Sequence, residues 1–210
     1  MNYKLLYRGI RSFYNELKVK DELNRFNNNS NNNIRSNNVA LNSVIGHDIT
    51  AMEGALICEN STIDSYSFVG YNTLISKTKI GRYNSIASNV NIGHGEHLIS
   101  NISTNSHFVE NTFDVFTSKD CIIENDVWLG VSSIIRRGVK VGTGAVVGAN
   151  SFVNKDVPPF AIVIGSPARI LKYRFSEDKI NRILDSQWWN YDLVDAKRII
   201  DELEISTNEF

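Results

Sequence analysis

Four histidines, His47, His94, His97 and His107, are the side chains best suited to move protons near neutrality. An unperturbed imidazole titrates at about 6.5, whereas a serine or threonine hydroxyl cannot act as a base unaided. The histidines are not spaced as a metal-ligand set, and no metal is called for. Cys58 and Cys121 are too few for a disulfide framework or a thiolate cluster. A second concentration of chemistry is basic: Arg136, Arg137, Lys140, Lys155, Arg169, Lys172 and Arg174 stand against Asp156 alone. Such an excess suits phosphate groups. The whole chain, with 22 Lys and Arg against 23 Asp and Glu and a net charge of -1, carries no field that argues for nucleic acid as partner.

These side chains need a frame, and the frame shows itself as a period of six. Ile45, Ala51, Ile57, Ile63, Val69 and Ile75 form one comb, which slips to Ile80 and continues through Ile86 and Ile92. A second comb runs without a slip through Ile123, Leu129, Ile135, Val141, Val147 and Val153. Four residues beyond these teeth stand Val127, Ser133, Val139, Ala145, Ser151 and Val157, so large inward residues alternate with smaller ones. This is neither the period of two of a simple strand nor the 3.6 of a helix. It reads as an all-β solenoid of very short strands and tight bends, in which one coil has no core and the stack supplies it. Gly130, Gly142 and Gly148 then read as bend residues rather than as a dinucleotide-binding loop.

Around the combs lie three other kinds of segment. Leu5, Leu6, Ile10, Phe13, Tyr14 and Leu17 space as the apolar stripe of a short helix in the first 26 residues, to be packed on the domain or a partner subunit, with contact at a membrane surface left open. The asparagine-rich stretch that follows reads as a linker or loose loop. The combs are interrupted for 25 residues from Leu98 to Ile122, long enough for a lid or a subunit-contact arm. Pro158 and Pro159 end the repeat, Ser176 caps a helix holding Ile180, Ile183 and Leu184, and a second helix is expected around Leu193–Leu203. The division is therefore 1–40 for the N-terminal helical segment and linker, 41–165 for the solenoid with its excursion at 98–122, and 166–210 for a C-terminal helical tail. No run of apolar residues is long enough for a membrane span, and the expected setting is cytoplasmic, with the inner face of the membrane open as an address.

The combs, with Asp126-Val-Trp-Leu-Gly130, Gly138-Val-Lys-Val-Gly142, Gly144-Ala-Val-Val-Gly148, Lys155-Asp-Val-Pro-Pro159 and Gly165-Ser-Pro-Ala-Arg169, resemble the hexapeptide-repeat acyltransferases, in the branch of xenobiotic and saccharide O-acetyltransferases. The resemblance covers about residues 45 to 190. It implies a left-handed parallel beta-helix with an inserted loop, an N-terminal helical segment and short C-terminal helices. The handedness comes from the family, against the usual right-handed crossover.

The same resemblance implies acetyl-CoA as donor, a homotrimer with clefts between adjacent solenoids, and a carbohydrate-like acceptor. The family's general base corresponds to His97, in Gly95-Glu-His97 followed by Ser103-Thr104. Where members carry histidine and proline after that pair, this chain has Asn105-Ser106 and then His107. Trp128, Ser133, Gly148, Ala149, Lys155 and Arg169 match positions along the donor groove. The implied reaction is direct transfer of acetyl to a hydroxyl of a saccharide or polysaccharide building block. N-acetylation of a nucleotide-linked amino sugar, acetylation of an antibiotic, and a non-catalytic carbohydrate-binding trimer are the alternatives.

Overall fold

The computed structural model describes residues 3–207. Its body is a parallel β-solenoid of about seven turns, consistent with a left-handed β-helix. Every third short strand falls on the same face of a triangular prism. Face one carries Thr50–Ala51, Phe68–Val69, Ser85–Ile86, Trp128–Leu129 and Val146–Val147; face two carries Leu56–Ile57, Leu74–Ile75, Asn91–Ile92, Ile134–Ile135 and Phe152–Val153; face three carries Thr62–Ile63, Thr78–Ile80, Cys121–Ile123 and Lys140–Val141. The teeth from Ala51 to Val153 are at most 3% exposed and stack into one continuous core.

The first tooth is not where the rhythm of six puts it. Ile45 is 62% exposed, and Val44 is buried in its place, bridging in parallel to Ile63. A 3-10 turn at Leu41–Ser43 shifts the register there by one residue.

The ends of the solenoid also lie beyond the sequence boundaries. Asn33–Ile34 already pairs with Thr50–Ala51 on face one, so the asparagine-rich stretch is neither linker nor loose loop. Helix α1 runs Tyr3–Ser30, through the first asparagines. The Asn27 side chain accepts from the Ile34 N–H and donates to the Ile34 carbonyl, while Asn32 accepts from the Ile49 N–H and donates to the Gly46 carbonyl. Amide side chains thus supply the hydrogen bonds that a missing coil would have supplied. At the other end the repeat survives the two prolines: Val157 bridges to Val141, and Ala161–Gly165 pairs in parallel with Val146–Val147. The chain then reverses, and Ala168–Tyr173 pairs antiparallel with Ala161–Gly165, so residues 168–173 are strand and not the start of a helical tail.

The bends explain much of the composition. Left-handed backbone occurs at Asn60, Asn72, Asn89, Asn150, Asp48 and Asp126, residues that tolerate it, and at Gly54, Gly138 and Gly144. On the corner between faces three and one, bulky Tyr66, Tyr83 and Phe160 adopt it instead. Their rings form a platform: Tyr66 stacks on Tyr83, Tyr83 meets Trp188, and Phe160 meets Phe175. On this platform dock α3 (Glu177–Ser186), capped by Ser176 as expected, and α4 (Leu193–Thr207). Trp188 and Trp189 are buried there, so the tail covers its own solenoid. Arg82 ties it down, donating to the Asn190 carbonyl and to Asp192. Among the described residues no helix is long and apolar enough to cross a membrane.

Candidate active site

The excursion leaves the coil after face two and returns on face three. Its core spans 93–120, because Cys121 and Ile122, assigned to it from the sequence, are strand residues paired with Thr78 and Lys79. Register is unaffected: Ile92 pairs with Ile135, and the 43-residue step from Asn84 to Val127 closes the same stack that 18-residue steps close elsewhere.

That register sets Lys77, His94, Arg137 and Lys155 one above another on the corner between faces two and three. Arg137 is 7% exposed and faces inward under the excursion. Its guanidinium donates to the carbonyls of His94 (3.4 Å), Lys77 (3.1 Å) and Lys119 (3.2 Å) and to Ser76 Oγ (3.2 Å). His94 and Lys119 lie at the two lips of the excursion, so one cation clips both. Burial holds the Arg137 pKa below the usual guanidinium range, with no carboxylate bonded to it among those contacts. Next to it, Arg136 donates to both carboxylate oxygens of Glu96, at 2.5 and 2.9 Å. This bond raises the Arg136 pKa and staples the residue before His97 to the coil.

His97 therefore stands on a braced loop. The Glu96 N–H donates to the Phe116 carbonyl at 2.9 Å, and Phe116 closes the short helix α2 (Thr112–Phe116). The Phe116 ring lies 4.5 Å from the imidazole, tilted by 35°. His97 Nδ1 is 2.5 Å from the Thr104 carbonyl oxygen. A carbonyl only accepts, so Nδ1 carries the proton and Nε2 keeps the lone pair. The ring is exposed and borders two depressions. One, of about 530 Å³, is largely apolar and is lined by Leu56, Leu74, His94, Phe113 and Phe116. The other, of about 340 Å³, is polar and is lined by Lys119, Arg136, Asn154, Lys155 and Asp156. Asn154 Oδ1 is buried there without a hydrogen-bond partner.

The remaining residues singled out from sequence divide sharply. Lys155 shares the polar depression with His97. Trp128 is 56% exposed on face one, and Gly148 and Ala149 lie on the bend between faces one and two. Arg169 is exposed on the returning strand, where its guanidinium donates to the Ala168 carbonyl. Within one chain these four stand apart from His97. Ser133 is fully buried, its hydroxyl inside the coil without a partner, and offers no atom to a groove ligand. It belongs to the small inward positions already visible in the repeat, and that reading excludes it from a donor surface.

The basic patch also shrinks: Arg136 is paired with Glu96, Arg137 is buried, Lys140 pairs with Glu124 at 2.6 Å, and Arg174 pairs with Asp126 at 3.2 Å. Of the other histidines, His47 pairs with Asp48 on a distant corner. His107 is held in the 3-10 turn Ser106–Phe108 by the Asn105 side chain, which accepts from its N–H. Among the described residues no cluster of three or more His, Cys, Asp or Glu is placed to hold a metal ion.

Sequence reasoning overlooked the clip by Arg137, the Glu96–Arg136 staple and the aromatic pair Phe113 and Phe116. The comb held a signal for the first: Ile92 and Ile135 are successive teeth of one face, which sets Arg137 directly beneath His94.

A model of the bacterial transferase hexapeptide (six repeats) matches residues 120–155. A chloramphenicol acetyltransferase of Morganella morganii is 49% identical over 74 residues, 35% of each chain. A probable macrolide acetyltransferase of Lysinibacillus sphaericus is 46% identical over 90 residues, 43% of this chain and 48% of that one. The chain thus spans between a third and a half of the length of these relatives. Among solved structures, a hexapeptide-repeat-containing acetyltransferase from Vibrio cholerae superposes with a TM-score of 0.56 at 28% identity, over 64% of this chain and 75% of that one. An N-acyltransferase from Bacillus cereus, at 22% identity, shares the fold with a TM-score of 0.59 over 74% of this chain and 84% of its own. Residues 120–155 thus carry the hexapeptide repeat of the bacterial transferases, and coils of the same register continue on both sides of that segment.

Proposed function

We propose that this chain is an acetyl-CoA-dependent O-acetyltransferase acting on a hydroxyl of a saccharide or polysaccharide building block, with His97 as general base. The observation that carries the reading is the Nδ1 contact with the Thr104 carbonyl, which leaves Nε2 as the available base at the junction of an apolar and a polar depression. His97 Nε2 takes the acceptor's hydroxyl proton as that oxygen bonds to the thioester carbonyl carbon. The carbon–sulfur bond then breaks, and the imidazolium returns its proton to the departing thiolate. Holding both reactants beside one ring removes much of the orientation cost. An acyl-enzyme on Cys121 is disfavoured because that residue is sealed in the coil, where burial pushes its thiol up and its sulfur donates to the Arg136 carbonyl; Cys58 lies on the wall of the larger depression, and direct attack requires that Cys58→Ala keep its turnover.

The polar depression suits the donor. Lys155 offers a cation, and Asn154 Oδ1 an acceptor still lacking an N–H. The relatives carry acetyltransferase names, and the Bacillus cereus enzyme was solved with 3-hydroxybutyryl-CoA. Trp128, Gly148, Ala149 and Arg169 lie too far round the prism to join His97 in one chain, and we assign them to the donor wall that a neighbouring copy supplies in a homotrimer. In support, faces one and two and the bend between them expose Phe68, Tyr71, Trp128, Val131 and Ile134, whereas the exposed row on face three is Lys79, Ile122 and Lys140, an aliphatic residue between two cations. We place the chemistry in the cytoplasm, in keeping with free thiols at Cys58 and Cys121.

A second reading, acetylation of a hydroxylated antibiotic, is favoured by one observation: the exposed wall of the larger depression at His97 is mostly apolar, built by Leu56, Leu74, Phe113 and Phe116, with Ser106 and Thr112 among its fewer polar groups. Labelled acetyl-CoA presented with sugars, polysaccharide fragments, amino sugars and hydroxylated antibiotics, followed by location of the transferred group, separates the two. On the true acceptor, His97→Ala lowers kcat by about 10²–10⁴-fold with donor affinity kept. Unchanged turnover removes His97 from the reaction.

A further inference from the structure

We infer that the N-terminal two-thirds of α1 binds an anionic lipid surface. Among the described side chains of this helix, those engaged with the core lie at its end: Leu23 is buried in the core cluster, Phe26 packs against it, and Asn27 hydrogen-bonds Ile34. Phe13, Tyr14 and Leu17 remain 62%, 68% and 49% exposed. At 3.6 residues per turn these three fall on the side of the helix roughly opposite Leu23 and Phe26. The described part of the apolar stripe, Phe13, Tyr14 and Leu17, therefore points away from the body of its own chain, while Leu5, Leu6 and Ile10 lie outside the described side chains. Tyr7, 66% exposed, extends the same face.

Charge selects the occupant. In residues 1–20 stand Lys4, Arg8, Arg11, Lys18 and Lys20 against Glu16 alone, in a chain whose net charge is -1. Arg8, Arg11, Lys18 and Lys20 are exposed. Arg11 and Lys18 flank the stripe on one side and Lys20 on the other. An aromatic and aliphatic face bordered by cations fits the boundary between lipid headgroups and acyl chains. A second copy of the helix fits badly, because pairing two stripes would bring two such cationic segments together. The helix would lie on the membrane rather than through it.

The test is co-sedimentation of the full chain with vesicles of phosphatidylcholine alone or of phosphatidylcholine with phosphatidylserine. The expected result is binding to the anionic vesicles, weakened by salt, and little to the neutral ones. Replacing Arg11 and Lys18 by Gln lowers the partition coefficient roughly 30-fold, about fivefold per cation near the surface. Phe13→Ser with Leu17→Ser lowers it as well and leaves the melting temperature unchanged, since neither side chain touches the solenoid. Equal partition onto both vesicle types overturns the inference. So does a serine variant that still binds vesicles while losing mass in vesicle-free buffer, which would make the stripe a contact between copies.

Discussion

Replacing Arg137 by Ala removes a side chain that holds both lips of the excursion. Four contacts disappear, at 3.1 to 3.4 Å, three of them to carbonyls that stay behind. A hydrogen bond to a charged group is worth about 1.5–3 kcal/mol. Four such values do not add, because the bonds share one donor group and water enters the vacated space. The removal also relieves the cost of burying a guanidinium. A loss of about 3 kcal/mol is the expected balance, a shift of roughly 6–12 °C for a chain of this size. The local effect is larger than the global one: with His94 and Lys119 released, residues 94–119 open while the stacked coils persist. Urea titration followed at the buried tryptophans gives the first quantity, and the rate of proteolytic cutting within 98–118 gives the second. Ser76→Ala, which removes one hydroxyl partner, costs about 1 kcal/mol and leaves the cutting rate close to that of the parent. A variant at Arg137 that loses under about 1 kcal/mol and is cut no faster refutes the clip.

Other perturbations test separate parts of the structure. Burial raises the Glu124 carboxyl, but bonds from Lys140 and from the Thr143 N–H and hydroxyl outweigh it and hold the pKa below the usual range. Its stabilisation is thus present above the unfolded carboxylate value and lost as pH falls through the folded one: Glu124→Gln costs about 1 kcal/mol at pH 7, and the gap from wild type closes in acid. Gly144 has φ +70, and an added Cβ would lie 2.4 Å from the Phe160 ring, so Gly144→Ala should destabilise by about 2–3 kcal/mol in thermal melts, and by less in a Phe160→Leu background. Ile45→Ser should stay within about 0.5 kcal/mol of wild type, whereas Val44→Ser costs about 2 kcal/mol; the reverse order would restore the original register. If Lys155 meets donor phosphate, Lys155→Ala raises the KM for acetyl-CoA about tenfold with kcat nearly unchanged.

The prism was legible because each tooth must be buried and one coil buries nothing alone, so the rhythm is written into every turn from Ala51 to Val153. The coil ends were not, because there the partner strand is replaced by side chains. Asn27 and Asn32 complete the first coil with amides, and a composition rich in asparagine then resembles a loop. Pro158 and Pro159 read as a stop, yet Val157 needs only its own N–H to reach the Lys140 carbonyl and the prolines occupy the bend. At the candidate site, position and chemistry separate. The motif singles out His97 as the proposed base, but its brace was invisible, since Glu96 and Arg136 lie 40 residues apart and meet only when the excursion folds back. Ser133 shows the opposite failure: a small residue in a groove motif and a small residue filling the core read alike until burial distinguishes them.

The inserted segment enters and leaves the stack without disturbing the pairing of Ile92 with Ile135, and its anchors, Arg137 and Arg136, belong to the coil below it. Its tip is therefore free to change in length and content while the load-carrying spine is untouched. Selection can rework residues 98–118 almost as an interchangeable tool head. Substitutions at the two arginines, by contrast, would loosen any head fitted there.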